Sequence, residues 1–157
     1  MIAAAMMACS AVSCHKTDKP DSSSGPYIQI GDESYRPYRF VFFDNDEDEG
    51  IHYSICDSGS NLSRVLLFVP YAYCIDKTWD ITTLRHSATC LFQIDMRSEN
   101  GVESAGNGNF RSGTFRAFRN GDNITIDIDA VTGRGTVLKV KCIDVRAESG
   151  PYVIPIY

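Results

Sequence analysis

The densest acidic run of the chain has part of the spacing of a calcium-binding loop. Asp44, Asp46 and Asp48 alternate along it, and alternate carboxylates can surround a hard cation with oxygen ligands. The match is incomplete, because Glu49 stands where such a loop needs glycine and Ile55 stands where it needs a bidentate glutamate. We favour a solvated acidic turn between two strands and keep the three carboxylates as a calcium candidate.

Histidine and carboxylate positions do not combine into a catalytic set. His52 alternates with Ile51 and Tyr53, so we expect its side chain to face solvent or the edge of a partner sheet, and no Gly-x-Ser-x-Gly motif occurs. Asp127 and Asp129 share one face of a strand, about 7 Å apart, and two carboxylates at such a spacing can serve a glycosidase. A solvated ladder paired with basic residues is the simpler interpretation. We therefore expect a protein that is not an enzyme and that uses no cofactor.

The candidates for ligand contact are three aromatic residues in one irregular segment. Tyr71, Tyr73 and Trp79 lie within residues 70–79, and Trp79 is the only tryptophan of the chain. Exposed tyrosine and tryptophan rings offer rigid, flat surfaces for sugar rings or protein partners. Aromatic residues also fill the cores of β-sandwiches, and Trp79 fits that role as well. Residues 97–109, which hold little apolar content, are predicted to form a long mobile loop.

Four cysteines lie in the body of the chain: Cys56, Cys74, Cys90 and Cys142. Four cysteines can be paired into two disulfides in three different ways, and an oxidising compartment would permit such bonds. Cys90 and Cys142 both fall in the apolar phase of their strands, so both are expected to point inward. We favour free thiols, and for a single bridge we would choose Cys90 with Cys142. No Cys-x-x-Cys occurs.

The elements that position these residues are β-strands, because apolar residues recur with a period of two from residue 27 onward. In the clearest strand, Ile124, Ile126 and Ile128 alternate with polar residues. Asn120-Gly121 before it predicts a type I′ hairpin turn, which would place Ala117 opposite Ile124 and Phe115 opposite Ile126. Further hairpins are predicted at residues 31–32 and 132–135.

About nine strands are expected, the last of them an edge strand at residues 152–157. Their spacing predicts an all-β fold, an antiparallel two-sheet β-sandwich built from hairpins. The alternative is a closed, calycin-like β-barrel around an apolar ligand.

Composition fits one globular domain of this kind. The chain has 157 residues and a net charge of −5. An acidic balance argues against a nucleic-acid partner, because phosphate binding needs clustered positive charge. We expect a single all-β domain at residues 27–157.

The N-terminal residues have the order of a bacterial lipoprotein export signal. Residues 1–13 are a short apolar run that ends in small residues, which is typical of a signal peptide. Cys14 follows and is the expected lipidation site, with Cys9 as a rival. Residues 14–26 are polar and Ser-rich, as in a flexible tether. One departure is the absence of Lys or Arg before Cys14.

Three sequence segments resemble parts of small Bacteroidetes-type lipoproteins. They are Ile28-Gln29-Ile30-Gly31-Asp32-Glu33-Ser34-Tyr35, Asp76-Lys77-Thr78-Trp79-Asp80-Ile81-Thr82 and Ser112-Gly113-Thr114-Phe115. The resemblance covers about half of the chain, and it implies an all-β body on a lipid anchor. It carries over no catalytic residue.

Together these patterns predict a non-catalytic protein held in the bacterial envelope by an N-terminal lipid. The domain would face the periplasm or the cell surface and bind a glycan or a protein partner. The alternatives are a structural or accessory lipoprotein with no ligand site, and the calycin-like barrel with an apolar ligand.

Replacing Cys14 by serine is expected to release the protein from membranes, because the acyl chains lose the thiol that carries them. In a bacterial expression host, the wild type should partition into the detergent phase of a phase-separation assay and Cys14→Ser into the aqueous phase. Cys9→Ser is the matched control and should behave as the wild type. Detergent-phase partitioning of Cys14→Ser would contradict the assignment.

Overall fold

The computed structural model of the chain describes residues 25–57, 63–85 and 91–150. Within these ranges the backbone forms twelve β-strands and two short 3₁₀ turns, Tyr71–Tyr73 and Ile81–Thr83. In chain order the strands are β1 (Tyr27–Ile30), β2 (Glu33–Tyr35), β3 (Pro37–Asn45), β4 (Gly50–Asp57), β5 (Ser63–Pro70), β6 (Trp79–Asp80), β7 (Gln93–Ser98), β8 (Gly101–Gly106), β9 (Phe110–Asn120), β10 (Asn123–Thr132), β11 (Val137–Arg146) and β12 (Glu148–Ser149). No helix in these ranges is long and apolar enough to cross a membrane.

The strands form two six-stranded sheets. The first sheet has the order β2-β1-β11-β10-β9-β6, and the second has the order β12-β3-β4-β5-β7-β8. The strand pairs are antiparallel, except that β12 runs parallel to β3. Both sheets end in edge strands and neither closes on itself. The predicted two-sheet β-sandwich is confirmed, and the closed barrel that stood as its alternative is wrong.

The alternation predicted for β10 determines which of its side chains enter the core. Ile124, Ile126 and Ile128 are buried. The acidic residues between them lie opposite lysines of β11, so that Lys141 Nζ is 2.6 Å from Asp127 Oδ2 and Lys139 Nζ is 3.5 Å from Asp129 Oδ2. The expected ladder of ion pairs is thereby confirmed for these two carboxylates.

The core is a single cluster of apolar side chains contributed by both sheets. Its largest fully buried members include Tyr53 and Leu67 from the second sheet and Phe115 from the first. Phe92, just before β7, meets Phe115 edge to face with ring centroids 5.1 Å apart, the preferred arrangement for an aromatic pair. Side chains therefore fill the space between the sheets in which a barrel would have held its ligand.

The register of the hairpin between β9 and β10 is shifted by two residues from the predicted register. Asn120 pairs with Asn123, and Ala117 lies opposite Ile126 rather than Ile124. The central turn residues are thus Gly121 and Asp122, and Gly121 alone of the two has a positive φ, 62°. This is the pattern of a type II′ turn with glycine first. A shift of two residues keeps every side chain on its expected face, so the alternation could not reveal the error.

The mobile loop predicted at residues 97–109 is wrong for most of its length. Residues 101–106 form β8, which pairs with β7 through a two-residue turn at Glu99 and Asn100. The apolar pattern is weak because β8 is an edge strand that sends only Ala105 into the core. Sequence periodicity is a poor guide to such a strand, since neither face has to be apolar along its length.

Several predictions lie outside the described residues. They are the signal peptide, Cys14, the tether up to residue 24, and the edge strand at residues 152–157. For these the sequence argument stands as stated above.

Replacing Gly121 by alanine is expected to lower the free energy of unfolding by about 1–2 kcal/mol, because alanine is strained at positive φ. No heavy atom lies within 4 Å of the added Cβ, so backbone strain alone sets the cost. Asn120→Ala is the control and should change stability by less than about 0.5 kcal/mol, since Asn120 lies in the strand. Equal losses in urea denaturation would favour a turn at Asn120-Gly121 instead.

Candidate functional site

The segment that carries the predicted ligand contacts connects the second sheet to the edge of the first. After β5 and the first 3₁₀ turn, the chain reaches β6, where Trp79 pairs with Phe115 and Asp80 with Thr114 of β9. The Asp80 side chain then accepts a hydrogen bond from Thr82 N–H at 2.9 Å and caps the second 3₁₀ turn. This cap ends β6 after two residues, so most of β9 has no neighbour on that side.

The three aromatic residues are not gathered into one exposed surface. The Tyr71 hydroxyl donates to Asp44 and, at 2.9 Å, to Asp46. Tyr73 packs edge to face against Trp79, with ring centroids 5.1 Å apart. The Lys77 ammonium lies 4.0 Å above the centre of the Trp79 ring system, a cation–π contact. Tyr71 therefore belongs to the acidic turn, whereas Tyr73 and Trp79 both pack against the margin of the core, where Trp79 also borders an open groove.

The β6–β9 groove has a volume of about 510 Å³. Its lining combines one aromatic ring, two charged groups and several hydroxyls, contributed by Trp79, Asp80, Arg111, Thr78, Thr82 and Thr114. The hydrogen bonds from the Thr82 hydroxyl and N–H hold the pKa of Asp80 below its usual value, so the carboxylate is ionised at neutral pH. Arg111 donates from Nε to the Gly133 carbonyl at 3.0 Å, which fixes its guanidinium.

A second concavity, the inter-sheet cavity, lies between hairpins of the two sheets and shares no lining residue with the groove. It has a volume of about 350 Å³ and is lined by the β1–β2 turn, the β7–β8 hairpin and the β10–β11 turn. Ile30 and Met96 supply its apolar lining, and Glu33, Glu103 and Arg134 supply charged groups. Sequence reasoning did not single out any of these residues, because they come from three hairpins distant in the chain.

Glu33 links the two sheets beside this cavity. Its carboxylate accepts hydrogen bonds from the Tyr35 hydroxyl, from Glu99 N–H at 2.8 Å and from Asn100 Nδ2 at 3.0 Å. The bonds from Tyr35 and Glu99 hold the pKa of Glu33 below its usual value. Burial and the Glu33 carboxylate raise the pKa of Tyr35 to about 12.

Glu103 makes the second link between the sheets. Although it lies on β8 of the second sheet, its two carboxylate oxygens accept hydrogen bonds from Thr132 at 2.6 Å and Thr136 at 2.5 Å, both at the β10–β11 turn of the first sheet. The donors are neutral hydroxyls, so these bonds leave the charge of the carboxylate uncompensated.

Arg64 on β5 holds the β7–β8 turn and β2 together from the side. Its guanidinium is 2.8 Å from Asp57 and 3.2 Å from Glu99, and it stacks 4.2 Å from the centre of the Tyr35 ring. The Asp57 and Arg64 side chains are both mostly buried, so this pair is less screened by solvent than a surface ion pair.

The acidic turn at residues 44–50 brings Asp44 and Asp46 to the Tyr71 hydroxyl but gives Asp48 a different partner. Asp44 pairs with Arg119 at 3.2 Å and accepts the Tyr71 hydroxyl, whereas Asp48 accepts from Asn45 Nδ2 at 2.6 Å. No three His, Cys, Asp or Glu side chains are placed to hold a metal in the described part of the chain. The solvated turn accounts for these contacts, and the geometry does not support the calcium candidate.

The prediction that His52 faces solvent is wrong. Its side chain is 4% exposed, packs between the rings of Phe43 and Phe68, and has Nε2 3.5 Å from Asp48. β4 lies in the middle of the second sheet and is buried on both faces. The signal that was missed is the presence of apolar residues at consecutive positions in β3 and β5, which gives the sheet a partly apolar outer face as well.

The cysteines of the described residues are free thiols: Cys56, Cys74 and Cys142. Cys142 points inward as predicted, and burial raises the pKa of its thiol to about 12. The bridge to Cys90, the pairing chosen above for a single disulfide, is not formed at Cys142, and Cys90 itself lies outside the described residues.

No protein-family model, curated protein or solved structure matches the chain. The two concavities are therefore interpreted from their own geometry, and the resemblance to Bacteroidetes-type lipoproteins stays a prediction.

The free energy of unfolding is expected to fall as the pH is lowered from about 7.5 to 5.5, because burial holds the pKa of His52 below its ordinary value of 6.5. The unfolded chain then binds this proton more readily than the folded protein does. His52→Gln should flatten the dependence in this window, as measured by urea denaturation at each pH. The same slope in both proteins would refute the assignment to His52.

Proposed function

We propose that this chain is a non-catalytic envelope protein, anchored by a lipid on Cys14, that binds a glycan in the β6–β9 groove. The observation that carries the glycan proposal is the combination of Trp79, Asp80 and Arg111 at one open sheet edge. The anchor rests on the order of residues 1–26, and it places the domain in the periplasm or on the cell surface.

The groove offers the types of group that a sugar ring needs. A carboxylate and a guanidinium are planar and carry several acceptors or donors, so each can engage neighbouring hydroxyls of one ring. The part of Trp79 that lines the groove adds an apolar surface for C–H groups of the sugar, while Lys77 and Tyr73 cover other parts of the ring. Two charged contacts in a shallow groove would give a dissociation constant on the order of 0.1–1 mM, or roughly −5.5 to −4 kcal/mol.

Shape also favours a glycan in this groove. It is a surface groove rather than an enclosed pocket, so a polymer can enter from the side and continue beyond it. The inter-sheet cavity is smaller, and it lies between two carboxylates that link the sheets. A glycan chain would therefore reach the β6–β9 groove with less rearrangement of the protein.

Because Trp79 is the only tryptophan, tryptophan emission reports on this groove alone. We expect titration with a panel of bacterial and host polysaccharides to shift the Trp79 emission for at least one of them. Asp80→Asn, which retains a capping side chain, and Arg111→Gln should each weaken binding at least about 5-fold, the loss of one charge-assisted hydrogen bond.

Lys139→Gln, on the outer face of the first sheet, is the matched control and should bind within about 2-fold of the wild type. Binding that survives both groove variants would exclude this site. If neither fluorescence nor calorimetry detects binding to any polysaccharide, the glycan proposal is wrong and an accessory role without a sugar ligand takes its place.

A further inference from the structure

Strand β8 is the longest uninterrupted stretch of open sheet edge among the described residues, with six residues. The other edge strands, β2, β6 and β12, have three, two and two residues. Beside β6 and β12, the longest uncovered stretches of β9 and β3 are residues 116–120 and 37–40. Short strands are one way in which proteins protect their edges against further pairing. A six-residue edge is long enough to accept another strand.

The backbone groups on the free side of β8 follow from its register. Ser98 pairs with Gly101 across a two-residue turn, and Met96 pairs with Glu103. In such a hairpin these are the hydrogen-bonded pairs, so the residues between them turn their N–H and C=O groups away from β7. Val102 and Ser104 therefore present two donors and two acceptors at the edge. Both residues are exposed, Val102 by 45%.

The inter-sheet cavity borders this edge at Val102 and Glu103. Its charged lining consists of Asp32, Glu33 and Glu103 against the single cation Arg134. Glu33 and Glu103 are held by hydroxyl, amide and backbone donors, and neither forms a salt bridge within the described ranges. The cavity thus has an excess of negative charge beside an apolar lining.

We propose that β8 binds an extended segment of a partner protein as an additional β-strand, and that a lysine or arginine side chain of this segment enters the inter-sheet cavity. The aliphatic stem would pack on Val102, the exposed apolar residue of the lining, and the cationic head would compensate Glu33 and Glu103. Main-chain pairing supplies affinity in this mode of recognition, and the side-chain pocket supplies specificity.

A second copy of β8 does not fit this description, since Gly101–Gly106 contains neither lysine nor arginine. The site is also separate from the β6–β9 groove, because the two concavities have no lining residue in common. Either proposal can therefore be refuted by experiment while the other stands.

The test uses a heptapeptide of alternating threonine and valine with lysine at its centre, titrated into isotopically labelled protein. We expect amide shifts at Val102 and Ser104 and at the cavity residues. Peptides with norleucine or glutamate in place of the lysine should bind at least about 5-fold and 10-fold more weakly, and added salt should weaken the lysine peptide.

Ser104→Pro removes one outward N–H, and an edge strand tolerates proline there. We expect it to weaken the lysine peptide at least 10-fold, whereas Ser104→Ala, which keeps the N–H, should bind within 2-fold of the wild type. Glu103→Gln keeps an acceptor for the threonines and should weaken the lysine peptide but not the norleucine peptide. A lysine peptide N-methylated at its pairing amides tests the same contact without altering the protein.

The proposal is overturned if the three peptides bind equally or not at all at millimolar concentration. It is also overturned if N-methylation or Ser104→Pro leaves binding unchanged, or if the shifts at β8 arise from pairing between two copies of the protein.

Discussion

The contact between the apolar inner faces of the two sheets is the interaction on which the other features depend. Each fully buried aliphatic or aromatic side chain contributes roughly 1.5–3 kcal/mol, and the core draws such side chains from both sheets at once. Neither sheet can bury its inner face alone. Because the middle is filled, a ligand cannot occupy the space between the sheet centres, and both concavities lie at the margins.

The margins also hold the polar groups that orient one sheet on the other. Glu33 reaches from the first sheet to the β7–β8 turn, and Glu103 reaches from the second sheet to the β10–β11 turn. Hydrogen bonds to charged groups stabilise by roughly 1.5–3 kcal/mol when they are well formed. The same carboxylates give the inter-sheet cavity its negative charge. The two carboxylates that hold the sheets in position thus also determine the charge of the inter-sheet cavity.

Local patterns predicted the faces of the strands better than their partners. In β10, the alternation of isoleucine with aspartate was enough to predict the core face and the pairing of the two aspartates with basic residues. The turn at Gly121 was misread because an adjacent Asn-Gly signal places the same residues on the same faces. β8 was missed because its inner face carries Glu103 and one alanine, and the burial of His52 was missed because both faces of β4 are covered.

The sequence by itself determined the fold class and the core faces of the long strands, because a period of two is a local property that any pleated strand obeys. The tertiary structure alone decided that Tyr71 binds the acidic turn while Tyr73 packs against Trp79. It also decided that Glu33 and Glu103 come to one cavity and that β8 has no second neighbour among the described strands. These outcomes depend on pairings between residues far apart in the chain. Such pairings are selected by the packing of whole sheets, which no short stretch of residues encodes.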